Sequence, residues 1–136
     1  MQTLELFAGC GGLAKGLERA GFKHAGLLEI NHQACESLRA NFNPRLVHEA
    51  DVKKVDFRAF AAVDIVSGGP PCQPFSLGGL ARAYNDKRDM FPQAIRAISE
   101  IKPKAFLFEN VKGLLREKFA PYFKYIILRL SYPDCA

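Results

Sequence analysis

The feature that most constrains the fold of this chain is a regular alternation of short apolar runs with helical patterns along its 136 residues. Five of the runs are bounded by turn residues and are typical of buried strands. They are TLELF (3–7), HAGLLE (24–29), RLVHEA (45–50), VDIVS (63–67) and AFLFE (105–109). Strands that alternate with helices predict a mostly parallel sheet covered on both faces, and right-handed crossovers then restrict the topology to a doubly wound α/β fold.

Helix start and stop signals support the same fold. Three helical patterns lie between the runs: 13–20 before Gly21, 32–41 after a cap at Asn31, and 90–101 after a cap at Asp89. A fourth, YFKYIILRL, follows the last run. We therefore expect helices on both sides of the sheet.

Composition predicts one globular domain over residues 1–136, since 49% of the chain is hydrophobic, 24% is charged and no linker or repeat is visible. The longest apolar runs, such as AFLF and YIIL, are too short to cross a bilayer. The N-terminus lacks the basic and apolar segments of a signal peptide. We therefore expect a soluble, cytoplasmic protein.

Cysteine spacing predicts free thiols and no metal site. The cysteines at 10, 35, 72 and 135 form no C-x-x-C pair. His32 and Cys35 lie one helical turn apart, but two ligands do not make a metal site.

The unusual residues all follow predicted strands. FAGCGGL follows the first strand, Glu29 ends the second, Asp51 follows the third, the SGGPPC turn follows the fourth and Glu109 ends the fifth. Ligands of doubly wound sheets bind at the carboxyl ends of the strands, near the point where strand order reverses. We therefore expect these segments to share one edge of the sheet.

The glycine turn after the first strand indicates a nucleoside cofactor. Residues 9–14 satisfy G-x-G-x-x-G/A, and Glu29 follows at the distance where an acid can hold ribose hydroxyls. Two classes of enzyme use such a turn, a nicotinamide-dependent oxidoreductase and a methyltransferase that uses S-adenosylmethionine. The turn alone leaves both open.

The segment SGGPPCQPFS (67–76) favours the second class. Its prolines and glycines predict a rigid turn instead of a core element, so the thiol of Cys72 is a candidate functional group. Hydride transfer does not call for a nucleophilic thiol beside the cofactor, whereas methylation of a particular carbon does.

The charge of the chain is consistent with a polyanionic partner. The formal net charge is +5 and the pI is near 9.1. Arg82, Lys87 and Arg88 lie in the polar stretch that follows the proline turn.

Taken in order, the motifs resemble those of DNA (cytosine-5) methyltransferases. The matching segments are FAGCGGL, Glu29, Asp51-Val52, GGPPCQPFS, DKRDMF and FENVKGL, which span residues 7–114. The combination of GPPCQPFS with a later ENVKGL is the most specific part. The resemblance implies a Rossmann-like methyltransferase fold and S-adenosyl-L-methionine as the cofactor.

The resemblance assigns a cofactor-binding role to residues on several loops: Phe7, Gly9, Gly11, Gly12, Leu13, Glu29, Ile30, Asp51, Val52, Gly69, Pro70 and Met90. Glu29 would hold the ribose hydroxyls, and Ile30 would pack on the adenine. Met90 stands where the family usually has leucine, a conservative difference in volume.

The resemblance also implies the chemistry. Carbon 5 of cytosine is a poor nucleophile, so Cys72 would add to carbon 6 and raise the electron density at carbon 5, which takes the methyl group. Glu109 would contact ring nitrogen 3. Because a base inside a duplex is out of reach, the cytosine of double-stranded DNA would be flipped out. Residues of the loop that closes over DNA would be Gln73, Ser76, Arg82 and Arg88.

The resemblance covers only the amino-terminal portion of a catalytic domain. The family continues with further strands, a target-recognition domain and a closing helix. The chain would therefore be a truncated product, one subunit of a split enzyme completed by a second polypeptide, or an engineered fragment. The expected setting is a restriction-modification system, and the alternative function is cofactor binding without catalysis.

Overall fold

A computed structural model describes residues 1–71 and 89–133 of the chain. Within these residues the sheet has five strands, all parallel, in the order β3-β2-β1-β4-β5. The strands are β1 Gln2–Leu6, β2 Lys23–Glu29, β3 Val47–Glu49, β4 Ile65–Gly68 and β5 Ala105–Phe108. The α-helices are α1 Gly12–Arg19, α2 His32–Asn41, α3 Phe91–Ile101 and α4 Ala120–Ser131. The prediction of a doubly wound α/β fold is confirmed.

The caps explain where two helices begin. The side chain of Asn31 accepts a hydrogen bond from the Ala34 N–H at 3.0 Å, as predicted for α2. Helix α3 begins at Phe91, one residue later than predicted, so its N-cap is Met90 and not Asp89. Asp89 still accepts the Phe91 N–H at 3.0 Å. Lys102, at φ 54, ends this helix in the left-handed region.

The two faces of the sheet bury separate apolar clusters. On β2, Leu27 packs with α1 and α2, whereas its neighbour Leu28 packs with α3 and α4 on the opposite face. The first cluster contains Ala8, Ala14, Leu27, Cys35, Leu38 and Val47. Strand order reverses at β1, so the connection from β1 to β2 and the connection from β4 to β5 cross the sheet in opposite directions. Because both connections are right-handed, their helices lie on opposite faces.

The outer edge of β5 is apolar and exposed within the described residues. Phe106 and Leu107 on this strand are 42% and 48% exposed, and Ile127 on α4 is 48% exposed. A groove of about 350 Å³ runs between β5 and α4, and we call it the β5 edge groove. Proteins usually cover an apolar sheet edge of this kind with another strand, a helix or a loop.

No helix in the described part of the chain is long and apolar enough to cross a membrane.

Candidate functional site

A cavity of about 310 Å³ opens at the carboxyl ends of β1 and β2, beside the point where strand order reverses. Its walls come from segments far apart in sequence. They are Phe7, Leu28, Glu29, Ile30, Ala50, Asp51, Val52, Lys53, Pro71 and Met90. We call it the nucleoside cavity, because six of these residues are among those to which the family resemblance assigned cofactor binding: Phe7, Glu29, Ile30, Asp51, Val52 and Met90.

The glycine turn shapes this cavity without lining it. Phe7 and Gly9 have φ values of 56 and 53, in the left-handed region that a side chain rarely adopts. A Cβ on Gly11 would lie 2.5 Å from the Phe42 ring and 2.8 Å from Leu38. Gly11 therefore lets α1 pack closely on α2. Gly12 begins α1 and Leu13 follows it, so these residues, like Gly9 and Gly11, belong to the turn and not to the cavity wall.

The Glu29 carboxylate accepts three backbone N–H groups from two segments of the chain. One oxygen accepts the Gly9 N–H at 2.8 Å. The other accepts the N–H groups of Ile30 and Asn31 at 2.9 and 2.8 Å. Two carboxylate oxygens offer about four acceptor positions, so Glu29 can still accept hydrogen bonds from a ligand.

Two lining residues give the nucleoside cavity apolar surface. Ile30 is 67% exposed, and Val52 is buried. Asp51 accepts the Lys53 N–H at 3.0 Å and so caps the short helical turn that contains Val52. A flat ring held against these side chains would bury apolar surface.

A second cleft of about 370 Å³ lies at the carboxyl ends of β4 and β5. It is lined by Gly69, Pro70, Pro71, Glu109, Asn110 and Val111. Pro71 lines both this cleft and the nucleoside cavity, so the two adjoin. We call the second cleft the Glu109 cleft. Gly69 and Pro70, predicted to contact the cofactor, line it.

The Glu109 carboxylate is held against the turn that follows β4. The Glu109 N–H donates to the Gly68 carbonyl at 3.0 Å. A Cβ on Gly69 would lie 3.3 Å from the carboxylate. The absence of a side chain at Gly69 therefore allows the acid and the turn to approach each other.

Five of the predicted site residues lie outside the part of the chain that the structure describes: Cys72, Gln73, Ser76, Arg82 and Arg88. In sequence, Cys72 directly follows Pro71, which lines both cavities.

The sequence analysis missed a buried acid, Glu5. It is 2% exposed and stands opposite Ser67 in the pairing of β1 with β4. Burial raises the pKa of Glu5 to about 7; the Ala14 N–H opposes the shift and the charge of Glu109 adds to it. The signal was an acid inside an otherwise apolar run, TLELF.

Replacement of Glu5 by Gln should make the chain more stable at alkaline pH. Because the folded state holds this proton more tightly than the unfolded state, the stabilisation is complete below pH 4.5 and is lost as pH rises through about 7. The difference in unfolding free energy between Glu5→Gln and the native chain should change by about 3 kcal/mol across this pH window. Urea unfolding on both sides of the window measures it.

A matched control uses Glu117→Gln, because Glu117 is exposed. Its unfolding free energy should follow the native pH dependence. If the unfolding free energies of Glu5→Gln and the native chain depended on pH in the same way, Glu5 would not be the titrating group.

Among the described residues, no group of three or more His, Cys, Asp or Glu side chains is arranged to hold a metal ion.

Solved structures with the same architecture define the class of protein. A prophage-encoded protein of Escherichia coli, described as a DNA modification methyltransferase, matches with a TM-score of 0.78 at 30% identity over 96% of this chain and 38% of its own. The DNMT2 of Spodoptera frugiperda matches with a TM-score of 0.71 at 24% identity over 95% of this chain. The domain has the Rossmann-like fold of the methyltransferases.

Sequence comparisons then identify the family. The model of the C-5 cytosine-specific DNA methylases matches residues 1–132, and the chain therefore belongs to that family. The type II methyltransferase M.NgoMIV of Neisseria gonorrhoeae is 47% identical over 124 residues, and M.PspPI of a Psychrobacter strain is 54% identical over 114. The chain spans 40% of the length of the first enzyme and 27% of the second.

Proposed function

We propose that this chain is the amino-terminal portion of a catalytic domain that transfers a methyl group from S-adenosyl-L-methionine to carbon 5 of cytosine in double-stranded DNA. A type II restriction-modification system is its proposed setting, as the names of the relatives suggest. The observation that carries the proposal is the adjoining pair of cavities, one lined by Glu29 and Asp51, the other by Glu109. They can hold a nucleoside cofactor next to a second, reacting base.

The nucleoside cavity suits S-adenosyl-L-methionine. Ile30 and Val52 offer apolar surface to an adenine ring, and the Glu29 carboxylate lies where ribose hydroxyls can donate to it. When bound, this cofactor supplies a methyl group on a sulfonium. Pro71 at the boundary of the two cavities is consistent with a methyl group directed toward the Glu109 cleft.

The residues of the second cleft are proposed to act on a flipped cytosine. The Cys72 thiolate forms a bond to carbon 6, and the electron pair displaced onto carbon 5 takes the methyl group. Glu109 in its protonated form stabilises the charge that develops at ring nitrogen 3. Removal of the carbon 5 proton by a base then expels the thiolate. Gln73, Ser76, Arg82 and Arg88 are proposed to contact the DNA.

Calorimetric titration of the chain should detect binding of S-adenosylmethionine and S-adenosylhomocysteine. Glu29→Ala should weaken this binding by about 1–3 kcal/mol, or roughly 5- to 150-fold, because the ribose hydroxyls lose a charged acceptor. Since Glu29 also accepts three backbone N–H groups, a melting curve must show that the variant is folded at the temperature of the titration.

Glu49→Ala is the matched control. Glu49 ends β3 at the same edge of the sheet, but it pairs with Arg39 and His32 and does not line the nucleoside cavity. Its affinity should equal that of the native chain. Tight binding of NAD, with no response to the two sulfur compounds, would overturn the proposal in favour of an oxidoreductase.

A second candidate function is cofactor binding without catalysis, either as a fragment or as one subunit of a split methyltransferase. The β5 edge groove favours it, because Phe106, Leu107 and Ile127 present apolar surface that further polypeptide would bury. The chain also spans less than half of M.NgoMIV. Methyl transfer that depends on a second polypeptide distinguishes the split enzyme from an inactive fragment.

A further inference from the structure

The end of β5 and the turn after β4 are joined by a side chain to which no role has yet been given. Asn110 donates a hydrogen bond from Nδ2 to the Pro70 carbonyl at 3.0 Å. Its Oδ1 accepts the Val111 N–H at 2.8 Å. Because the oxygen end of the carboxamide is already used, the nitrogen end is directed to Pro70.

We propose that Asn110 is a positioning residue, whose bond to the Pro70 carbonyl sets the distance between the Glu109 carboxylate and the segment Pro70–Pro71 that leads into Cys72. This inference rests on the proposed function, in which Cys72 and Glu109 act on the same base. Asn110 itself touches no reacting atom in that scheme.

The stiffness of the segment Pro70–Pro71 allows a single side-chain hydrogen bond to position it. Proline fixes φ at Pro70 and Pro71, and a residue that precedes proline is restricted in ψ. The segment Pro70–Pro71 is therefore stiff, and one bond to the Pro70 carbonyl can set its position relative to Glu109. On the other side, Asn110 is adjacent to Glu109, whose own N–H is bonded to Gly68.

A structural role alone predicts a different pattern. Asn110 is exposed, and the loss of one such hydrogen bond lowers the stability only modestly. A positioning role predicts instead that the electrostatic effect of Glu109 on the Cys72 thiol depends on Asn110. That dependence can be measured without catalysis or DNA.

The experiment follows alkylation of Cys72 by iodoacetamide as a function of pH in the native chain, Glu109→Gln, Asn110→Ala and the double variant. Peptide mass spectrometry separates Cys72 from the other cysteines, and the exposed Cys10 provides an internal reference. Removal of the Glu109 charge should lower the midpoint pH of the Cys72 rate profile by about half a pH unit or more, because a nearby carboxylate disfavours the thiolate. In the Asn110→Ala background most of this shift should disappear.

Asn41→Ala is the matched control, because Asn41 also donates from Nδ2 to a carbonyl, that of Ser37 at 2.7 Å, at the far end of α2. It should leave the full shift in place. A Glu109→Gln shift of equal size with and without Asn110 would overturn the positioning role and leave the proposed function standing. No shift in the native background would contradict both, since Glu109 and Cys72 would then not be neighbours. A loss of the shift in Asn41→Ala would also overturn the role, because the effect would then be general.

Discussion

DNA that contains 5-fluorocytosine should form a covalent adduct with this chain when the carboxyl-terminal portion of a relative is supplied, and Cys72→Ser should abolish the adduct. With S-adenosylmethionine present, carbon 5 takes the methyl group, and fluorine cannot then leave that carbon as a proton would, so the bond between the thiol sulfur and carbon 6 persists. The serine hydroxyl is a far weaker nucleophile at neutral pH. Denaturing electrophoresis of labelled DNA, followed by peptide mapping, detects the adduct and its site.

Cys10→Ser is the control, because Cys10 is an exposed thiol in the glycine turn near the nucleoside cavity. Its adduct yield should equal that of the native chain. An adduct that persists in Cys72→Ser would assign the nucleophile elsewhere. The chain alone should give neither adduct nor methyl transfer, since a flipped base must be held to within a fraction of an ångström. Sustained turnover by the chain alone would contradict this expectation.

Gly68→Ala should be the most destabilising of the single glycine substitutions in the sheet. Gly68 has φ 155, and a Cβ there would lie 2.2 Å from the Leu6 carbonyl oxygen on β1. That atom belongs to the backbone of the central strand pair and cannot move without breaking the pairing of β1 with β4. We expect a loss of at least about 3 kcal/mol, at the upper end of single substitutions. Urea unfolding followed by circular dichroism measures it.

The matched control is Gly16→Ala. Gly16 lies within α1, and a Cβ there would meet no atom within 4 Å. Because alanine favours the helix, this variant should be more stable than the native chain by up to about 1 kcal/mol. If the unfolding free energy of Gly68→Ala were within about 1 kcal/mol of the native value, the description of Gly68 packed closely against Leu6 would be contradicted.

The sequence predicted the parts of the fold that are encoded locally. Each strand was expected within a few residues of its observed bounds because its apolar run ends at turn residues. The run 45–50 was predicted too long, since Pro44–Leu46 forms a short helical turn and β3 contains only Val47–Glu49. Proline at the start of that turn fixes φ and favours the turn over an extended strand.

The site was predictable where one motif follows each strand, and less so where contacts join distant segments. Six of the residues predicted to bind the cofactor line one cavity, because parallel strands bring their carboxyl ends to one edge. By contrast, the three N–H groups bonded to Glu29 and the bond from Asn110 to Pro70 depend on backbone positions that no periodicity encodes. The tight packing of Gly11 on Phe42 likewise appears only after α1 and α2 are in place.

The strand order has a consequence for how the chain folds during synthesis. β1 can pair with β2 as soon as helix α1 between them is complete. Its pairing with β4 joins Thr3 to Ile65, which lies 62 residues further along the chain. Closing that longer loop is slower and comes later. β1, the middle strand of the five described, therefore has an unpaired edge during synthesis until β4 has emerged from the ribosome.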